Sequence, residues 1–200
     1  MKRLLLLLLI AGPLAAPSAL AGAQKYEELA DSVRARLSRQ VSDKAVPAMA
    51  FHSSADAQRW LAEMDRRLAR RMPDRKQRLE LLRTVHYEAT RARLDPQLVL
   101  GVIEVESGFR KYAVSRAGAR GYMQVMPFWI KLIGLPSHNL FHLRTNLAYG
   151  CAILRHYLDL EKGDYFRALG RYNGTLGQAQ YPSTVLSAWR GRWKYDGPTA

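Results

Sequence analysis

The chain has 200 residues, a formal net charge of +14 at pH 7 and 48% hydrophobic residues. This length suits one domain with a sizeable core, and the single cysteine, Cys151, excludes an internal disulfide. The positive charge fits either a solvated basic surface or attraction to an anionic polymer. Charge by itself does not distinguish these two possibilities.

Residues 1–21 have the pattern of a secretory signal peptide. Lys2 and Arg3 precede an apolar run over residues 4–10, and Ala19-Leu20-Ala21 is an A-x-A cleavage site. Because glycine and proline interrupt the run, it is too short to span a membrane comfortably. The sequence therefore predicts a periplasmic protein that is cleaved near Ala21 and then has no transmembrane anchor. Removing the two charges of Lys2 and Arg3 from +14 leaves +12. In that compartment the anionic cell wall is a better partner than nucleic acid.

Helical spacing of apolar residues dominates the rest of the chain, and strand signals are nearly absent, so the sequence predicts an all-α fold. Helices are predicted over residues 26–40, 56–71, 74–92, 96–106, 146–160, 163–172 and 182–193, with short helices near Met123 and after Pro127. Residues 41–53 are a predicted connector. Cys151 lies in an apolar helical pattern and is predicted to be a small buried residue.

The helix predicted from Pro96 carries the two glutamates of greatest interest. Asp95 can cap it and proline suits its first position, while its nearly continuous apolar sequence predicts burial. Glu104 and Glu106 are about 200° apart around the helix, so they cannot share a face. Glu106 lies in the last turn, where the helix dipole and burial would raise its pKa, as a general acid requires. The alternative is that Glu106 is a surface residue at the helix end.

The sequence after Glu106 lacks carboxylates. From Ser107 to Leu158 there is no Asp or Glu, whereas seven Arg or Lys fall in that span. Most glycosidases use two carboxylates. A catalytic Glu106 would therefore have to take its nucleophile from the substrate.

Residues 106–127 resemble the catalytic signature of the lytic transglycosylases with the goose-type lysozyme fold, E-S-x-F followed by A-x-S-x-x-G-A-x-G-L-M-Q-x-M-P. The matching positions are Glu106, Ser107, Phe109, Ala113, Ser115, Gly118, Ala119, Gly121, Met123, Gln124, Met126 and Pro127, and Tyr122 stands where Leu is usual. Tyr172-Asn173 matches the A-Y-N-x-G motif, with Arg171 and Thr175 replacing its Ala and last Gly. The E-T-x-x-Y pattern that often follows reads 177–181 here and lacks its acid, which makes contacts to the peptide stem or a distal sugar uncertain.

The resemblance implies an all-α, goose-type lysozyme-like catalytic domain over residues 94–195, preceded by an N-terminal helical region over 22–93 whose role it leaves unexplained. Glu106 would be the sole catalytic acid and base. The implied substrate-binding residues are Ser107, Ser115, Tyr122, Met123, Gln124, Met126, Tyr172 and Asn173. Ser115 would help hold an N-acetyl group, Gln124 and Met126 would line the glycan groove, and Tyr172 and Asn173 would lie across from Glu106. Alternatively, Met126 and Tyr172 belong to the core, and Ser115 and Gln124 stabilise the loop.

The resemblance also implies the reaction, cleavage of the β-1,4 bond between N-acetylmuramic acid and N-acetylglucosamine in peptidoglycan strands to give 1,6-anhydromuramoyl products. No cofactor is implied, no metal-binding cluster is evident in the sequence, and no protein partner is indicated. Two alternatives remain open: hydrolysis by the same site, as in goose-type lysozymes, and a non-catalytic peptidoglycan-binding scaffold. A nucleic-acid-binding helical protein is opposed by the predicted signal peptide.

Overall fold

The computed structural model describes residues 24–43, 45 and 47–197, so the predicted signal peptide lies outside the described residues. This part of the chain forms eight α-helices: α1 Asp31–Val41, α2 Ser54–Leu68, α3 Arg75–Arg91, α4 Pro96–Ser107, α5 Phe128–Ile133, α6 Leu143–Leu160, α7 Tyr165–Asn173 and α8 Gln180–Arg190. Its extended pairing is confined to isolated bridges around Arg120. The predicted all-α fold class is confirmed.

Local capping explains several of the helix starts. The side chains of Asp74, Asp95 and Asp164 accept hydrogen bonds from backbone N–H groups in the first turns of α3, α4 and α7. An N-cap carboxylate satisfies donors that have no partner within the helix. These three aspartates therefore set helix boundaries within a residue or two of the predicted ones.

Two predictions about helices were wrong. Residues 26–30 are not helical, and α1 begins only at Asp31; in this segment Leu29 is buried in the core. The expected short helix near Met123 is a turn over residues 121–124. Gly121 and Gln124 have positive φ values of 76° and 48°, which a right-handed helix excludes.

The apolar helix α4 lies at the centre of the molecule and packs against α3 and α8, while α6 packs against α1, α3 and α7. One cluster of buried side chains runs from Leu29 to Trp193 and includes Cys151, which is a free buried thiol. The predicted boundary between residues 93 and 94 falls in the connection between α3 and α4 and stays a prediction. None of the helices in the described ranges is long and apolar enough to cross a membrane.

Candidate active site

The helix that carries Glu106 ends inside the protein. At its end Gly108 adopts a left-handed conformation, with φ of 57°, which glycine reaches without the steric cost that other residues incur. Most of α4 is buried, and Glu106 in its last turn is only 3% exposed. The carboxyl group is therefore delivered to the interior, and Glu106 is not a surface residue.

Tyr181, in the first turn of α8, is the partner of Glu106. Its hydroxyl donates a hydrogen bond to Oε1 of Glu106 at 2.6 Å. Burial, and then the charge of Glu106, raise the pKa of Tyr181 well above its usual value, so the hydroxyl stays protonated and remains a donor. Sequence reasoning did not select Tyr181 as a site residue, although it occupies the tyrosine position of the altered E-T-x-x-Y pattern.

A glycine allows α8 to come close enough for this contact. A Cβ on Gly101 would lie 3.3 Å from both the backbone nitrogen of Trp189 and the carbonyl oxygen of Val185, tighter than ordinary van der Waals contact. A larger residue at position 101 would push α8 away from α4. Gly101 therefore helps to place Tyr181 on Glu106.

Glu104 faces a different environment, as its helical position predicted. Its carboxylate accepts hydrogen bonds from Arg71 at 2.7 Å and from the indole N–H of Trp193 at 2.6 Å, and it also pairs with Arg192. These partners join the end of α4 to the segments after α2 and α8. The contacts fit a structural carboxylate rather than a catalytic one.

The residues of the predicted signature form a tight loop beside Glu106. The buried side-chain amide of Gln124 donates hydrogen bonds to the carbonyl oxygens of Gly121 at 2.9 Å and Ala113 at 3.1 Å. The backbone N–H of Ala119 donates to Oγ of half-buried Ser115 at 3.1 Å. Gln124 and Ser115 thus make the loop-stabilising contacts that were the alternative to substrate binding, and their substrate contacts remain predictions.

Ser107 joins this loop to the end of α4. Its buried hydroxyl lies 2.7 Å from the carbonyl oxygen of Tyr122 and 3.1 Å from that of Ile103. Tyr122 is itself buried, and burial raises its pKa to about 12. Ser107 and Tyr122, both predicted to bind substrate, therefore have structural partners within the loop and helix, and their substrate contacts remain predictions.

Asn146 fixes the same loop from α6, and sequence reasoning missed it. Its Oδ1 accepts a hydrogen bond from the backbone N–H of Met123 at 2.8 Å. Its Nδ2 donates to the carbonyl oxygens of Arg120 and Leu140 at 2.8 and 2.9 Å. A Cβ on Gly121 would lie 2.4 Å from Nδ2 of Asn146, so the positive φ at Gly121 and this close approach both require glycine. No local pattern marks an asparagine that acts across more than 20 residues of sequence.

Met123 is fully buried and packs against α6 at Gly150, where a Cβ would lie 2.3 Å from the Met123 sulfur. Met126 is half-buried, and its backbone N–H donates to Oε1 of Gln24 at 3.3 Å. Of these two residues predicted to bind substrate, Met126 is the more accessible, and both substrate contacts remain predictions.

The end of α7 brings Tyr172 and Asn173 to the same region. Tyr172 is fully buried, and its hydroxyl donates to the carbonyl oxygen of Met123 at 2.7 Å. Burial, and then the charge of Glu106, raise the pKa of Tyr172 well above its usual value. Asn173 is buried and donates from Nδ2 to Oγ1 of Thr175 at 3.1 Å.

Glu106 and Tyr181 are therefore hydrogen-bonded to each other, and Tyr172, whose pKa is raised by burial and by the charge of Glu106, links this pair to the loop of residues 113–126 through the Met123 carbonyl. These three residues offer a carboxyl for proton transfer and phenolic hydroxyls that hold their protons. In the described ranges no group of three or more His, Cys, Asp or Glu could hold a metal ion.

Comparisons with known proteins agree with the sequence resemblance. The family model described as "Transglycosylase SLT domain" matches residues 83–183, half of the chain. A protein of Enterobacteria phage PRD1 named "Transglycosylase" is 36% identical over 109 residues, which cover 54% of this chain and 40% of the phage protein. No solved structure matches the chain significantly.

Two further relatives carry the name "Membrane-bound lytic murein transglycosylase C". The protein of Actinobacillus pleuropneumoniae serotype 5b strain L20 is 50% identical over 48 residues, covering 24% of this chain and 13% of that protein. The protein of Histophilus somni strain 2336 is 41% identical over 75 residues, covering 33% and 21%. The matches thus span at most 40% of the length of these curated relatives.

Proposed function

Because this chain belongs to the transglycosylase SLT domain family, we propose that it is a peptidoglycan lytic transglycosylase that cleaves the β-1,4 bond between N-acetylmuramic acid and N-acetylglucosamine. Its all-helical fold agrees with the lysozyme-like helical domain of that family. The observation that carries the proposal is the buried Glu106, held by the Tyr181 hydroxyl at 2.6 Å beside the signature loop.

Apart from exposed Glu80, whose charge contributes to the raised pKa of Tyr122, the other acids near α4 and after it have structural partners. Buried Glu88 pairs with Arg91 and Arg144, and Glu104 is bound by the two arginines and the tryptophan described above. The acids that follow Glu106 in the described residues are all engaged: Asp159 with Arg36 and Arg155, Glu161 with Arg167 and Arg171, Asp164 as the cap of α7, and Asp196 with Lys194. This pattern supports a mechanism in which Glu106 acts without a second carboxylate.

The chemistry then proceeds in two steps. Protonated Glu106 donates its proton to the glycosidic oxygen as the bond from that oxygen to C1 of N-acetylmuramic acid breaks. The acetamido oxygen of the same sugar bonds to C1 and forms an oxazolinium ion, which supplies the nucleophile that a second carboxylate provides in most glycosidases.

In the second step Glu106, now a carboxylate, takes the proton of the C6 hydroxyl. The C6 oxygen attacks C1, the bond from C1 to the acetamido oxygen breaks, and a 1,6-anhydro ring closes. Both reacting groups belong to one sugar, so the attack has the advantage of proximity that a free water lacks. The Tyr181 hydroxyl favours the carboxylate by donating to it, and it orients the oxygen that exchanges the proton.

We also propose export of the protein to the periplasm with cleavage near Ala21. The support is the basic start, short apolar run and A-x-A site of residues 1–21, together with a wall-cleaving family whose substrate lies outside the cytoplasm. N-terminal sequencing of the protein from the cell envelope tests this proposal, and recovery of Met1 would contradict it.

Mass spectra of purified peptidoglycan treated with the protein test the reaction. The expected muropeptides are one water lighter than hydrolysis products and lack a reducing end. Ordinary reducing ends as the main product would replace the transglycosylase assignment with a goose-type lysozyme activity. Binding without turnover would leave a peptidoglycan-binding scaffold.

A further inference from the structure

Gln24 occupies a buried position next to the proposed active site. It is 4% exposed, although it lies on an extended segment that precedes α1. Its Oε1 accepts two hydrogen bonds, from the backbone N–H of Met126 at 3.3 Å and from the indole N–H of Trp129 at 3.0 Å. Its amide also lies close enough to the hydroxyl of Tyr172 to lower the pKa of that group. The Gln24 side chain therefore fills a space between Met126, a predicted groove residue, and Tyr172, whose pKa is raised by burial and by the charge of Glu106.

The hydrogen-bonding groups of the Gln24 side chain are only partly paired in this space. In the described part of the chain, Nε2 of Gln24 has no partner at hydrogen-bond distance, although the atom is buried. Leaving a buried donor or acceptor unpaired costs about 1–3 kcal/mol. A side chain selected only as part of the core would be expected to satisfy its own amide. An unpaired amide is expected if the Gln24 side chain occupies a site that is better suited to another ligand.

The rest of the segment is attached by exposed contacts. Tyr26, which is 64% exposed, meets Phe128 edge-on at a centroid distance of 5.8 Å, and Glu27 pairs with Arg171 at 3.3 Å with both side chains partly accessible. Exposed ion pairs contribute about 0–1 kcal/mol. Segments with few buried contacts open at low free-energy cost. Apart from Leu29, which is buried next to α1, the segment is held mainly by the carboxamide of Gln24.

We infer that residues 24–30 are a self-inhibitory segment, in which the carboxamide of Gln24 occupies the place of a substrate acetamido group and is displaced when a glycan binds. A carboxamide and an acetamido group present the same carbonyl acceptor and an adjacent N–H donor. A glycan acetamido group would satisfy the N–H groups of Met126 and Trp129 that Gln24 otherwise occupies. This inference rests on the proposed function insofar as it takes the ligand to be an N-acetylated amino-sugar polymer.

Calorimetric titration of the full chain with the β-1,4-linked trimer of N-acetylglucosamine tests the inference without requiring turnover. Gln24→Ala should bind the trimer about fivefold more tightly than the unmodified protein, because the sugar no longer competes with a hydrogen-bonded side chain. Lys25→Ala is the matched control, since Lys25 is the exposed neighbour on the same segment, and should leave the affinity unchanged. Glu27→Gln removes the ion pair with Arg171 and leaves the core intact, so it should tighten binding of the trimer about twofold. This variant replaces Gln24→Ala in the test if Gln24→Ala does not fold.

The indole N–H resonance of Trp129 gives a second readout by nuclear magnetic resonance. Trimer added to the unmodified protein should shift it, because the acceptor of that N–H changes from Gln24 to the sugar. Weaker or unchanged binding by both Gln24→Ala and Glu27→Gln, or an unshifted Trp129 resonance, would overturn the inference and make Gln24 a structural plug. If the variants bind the trimer more tightly but the unmodified protein does not cleave peptidoglycan, the inhibitory role of the segment is supported and the proposed reaction is rejected.

Discussion

Glu104 and Glu106 lie two residues apart on α4 and have opposite surroundings. Glu104 is held by two arginines and an indole N–H at the periphery, whereas Glu106 is buried and receives the hydroxyl of Tyr181. A carboxylate surrounded by arginines is stabilised in its charged form and is a poor proton donor. Buried Glu106 has a phenolic hydroxyl as its hydrogen-bond donor, and this is the setting of the acid–base role that we propose for it. The same helix thus uses one glutamate to hold the fold and carries, two residues on, the glutamate that we propose as the acid and base.

The largest expected effect separates these two glutamates. Glu106→Gln should lower turnover of peptidoglycan by about 10²–10⁴-fold, because the amide cannot donate or accept the catalytic proton, while the melting temperature stays close to that of the unmodified protein. Glu104→Gln should leave kcat nearly unchanged and lower the free energy of unfolding by about 1–3 kcal/mol, because its arginines lose a charged acceptor. Equal losses of activity in the two variants would show that Glu106 has no special role.

A second prediction concerns the loop of residues 113–126, which lies beside Glu106 and not beside Glu104. Asn146→Ala should lower the free energy of unfolding by about 2 kcal/mol or more, because it removes the hydrogen-bond partner of the buried Met123 N–H and of the Leu140 carbonyl, whereas the Arg120 carbonyl still accepts from the Val125 N–H. Activity should fall with the loss of loop geometry. Asn139→Ala is the control, since its Oδ1 accepts only from the exposed Phe141 N–H at 2.9 Å. Urea denaturation of both variants is the measurement, and similar small changes in both would contradict the role of Asn146.

Smaller changes in turnover and stability are expected for substitutions of Tyr172 and Tyr181, the two tyrosines near Glu106. Tyr181→Phe should lower turnover about tenfold, because a charge-assisted hydrogen bond contributes about 1.5–3 kcal/mol. It should also shift the alkaline limb of the pH–rate profile to higher pH, because Glu106 must be protonated for the first step and loses a hydrogen bond that favours its carboxylate. Tyr172→Phe should mainly reduce stability, by about 1 kcal/mol, because its hydroxyl donates to the Met123 carbonyl. Were Tyr172→Phe to reduce turnover with an unchanged melting temperature, Tyr172 would be a substrate-binding residue after all.

The smallest effect concerns His86, a buried titratable group on α3. His86 stacks on Phe51 at a centroid distance of 4.3 Å, and burial lowers its pKa to about 4, below its ordinary value of about 6.5. The unfolded chain therefore binds a proton more readily than the folded one. Its contribution to the free energy of unfolding is complete above about pH 6.5 and declines as the pH falls towards 4.

Comparing urea denaturation at pH 7 and pH 5 checks this prediction. His86→Phe should show a smaller loss of stability between the two pH values than the unmodified protein, because one of the two buried histidines no longer titrates. His156, whose pKa burial also lowers, would account for the remaining slope. An identical loss in the variant and the unmodified protein would exclude a contribution from His86.

The sequence predicted those features that depend on neighbouring residues. The capping aspartates marked the starts of α3, α4 and α7, and the helical period placed Glu104 and Glu106 on different faces. The turn at residues 121–124, in which Gln124 has a positive φ, was missed because it is held by contacts from outside the turn, from the Gln124 amide to the Ala113 carbonyl and from Asn146 to Met123. Tyr181, Asn146 and Gln24 were missed because each acts through a partner 23 or more residues away, and local patterns do not encode such pairings.

The anchoring of the signature loop by Asn146 has a consequence for the order of folding. The loop cannot reach its final shape until α6 has docked, because in the described part of the chain the backbone N–H of Met123 finds its hydrogen-bond partner on that helix, at Asn146. Contacts of this sequence separation form late, after the local helices, since closing the intervening chain costs entropy. We therefore expect the backbone amide of Met123 to gain protection in pulsed hydrogen exchange together with α6 and not with α4. A nascent chain would then carry an assembled α4 but no functional catalytic cleft until its tertiary structure is complete.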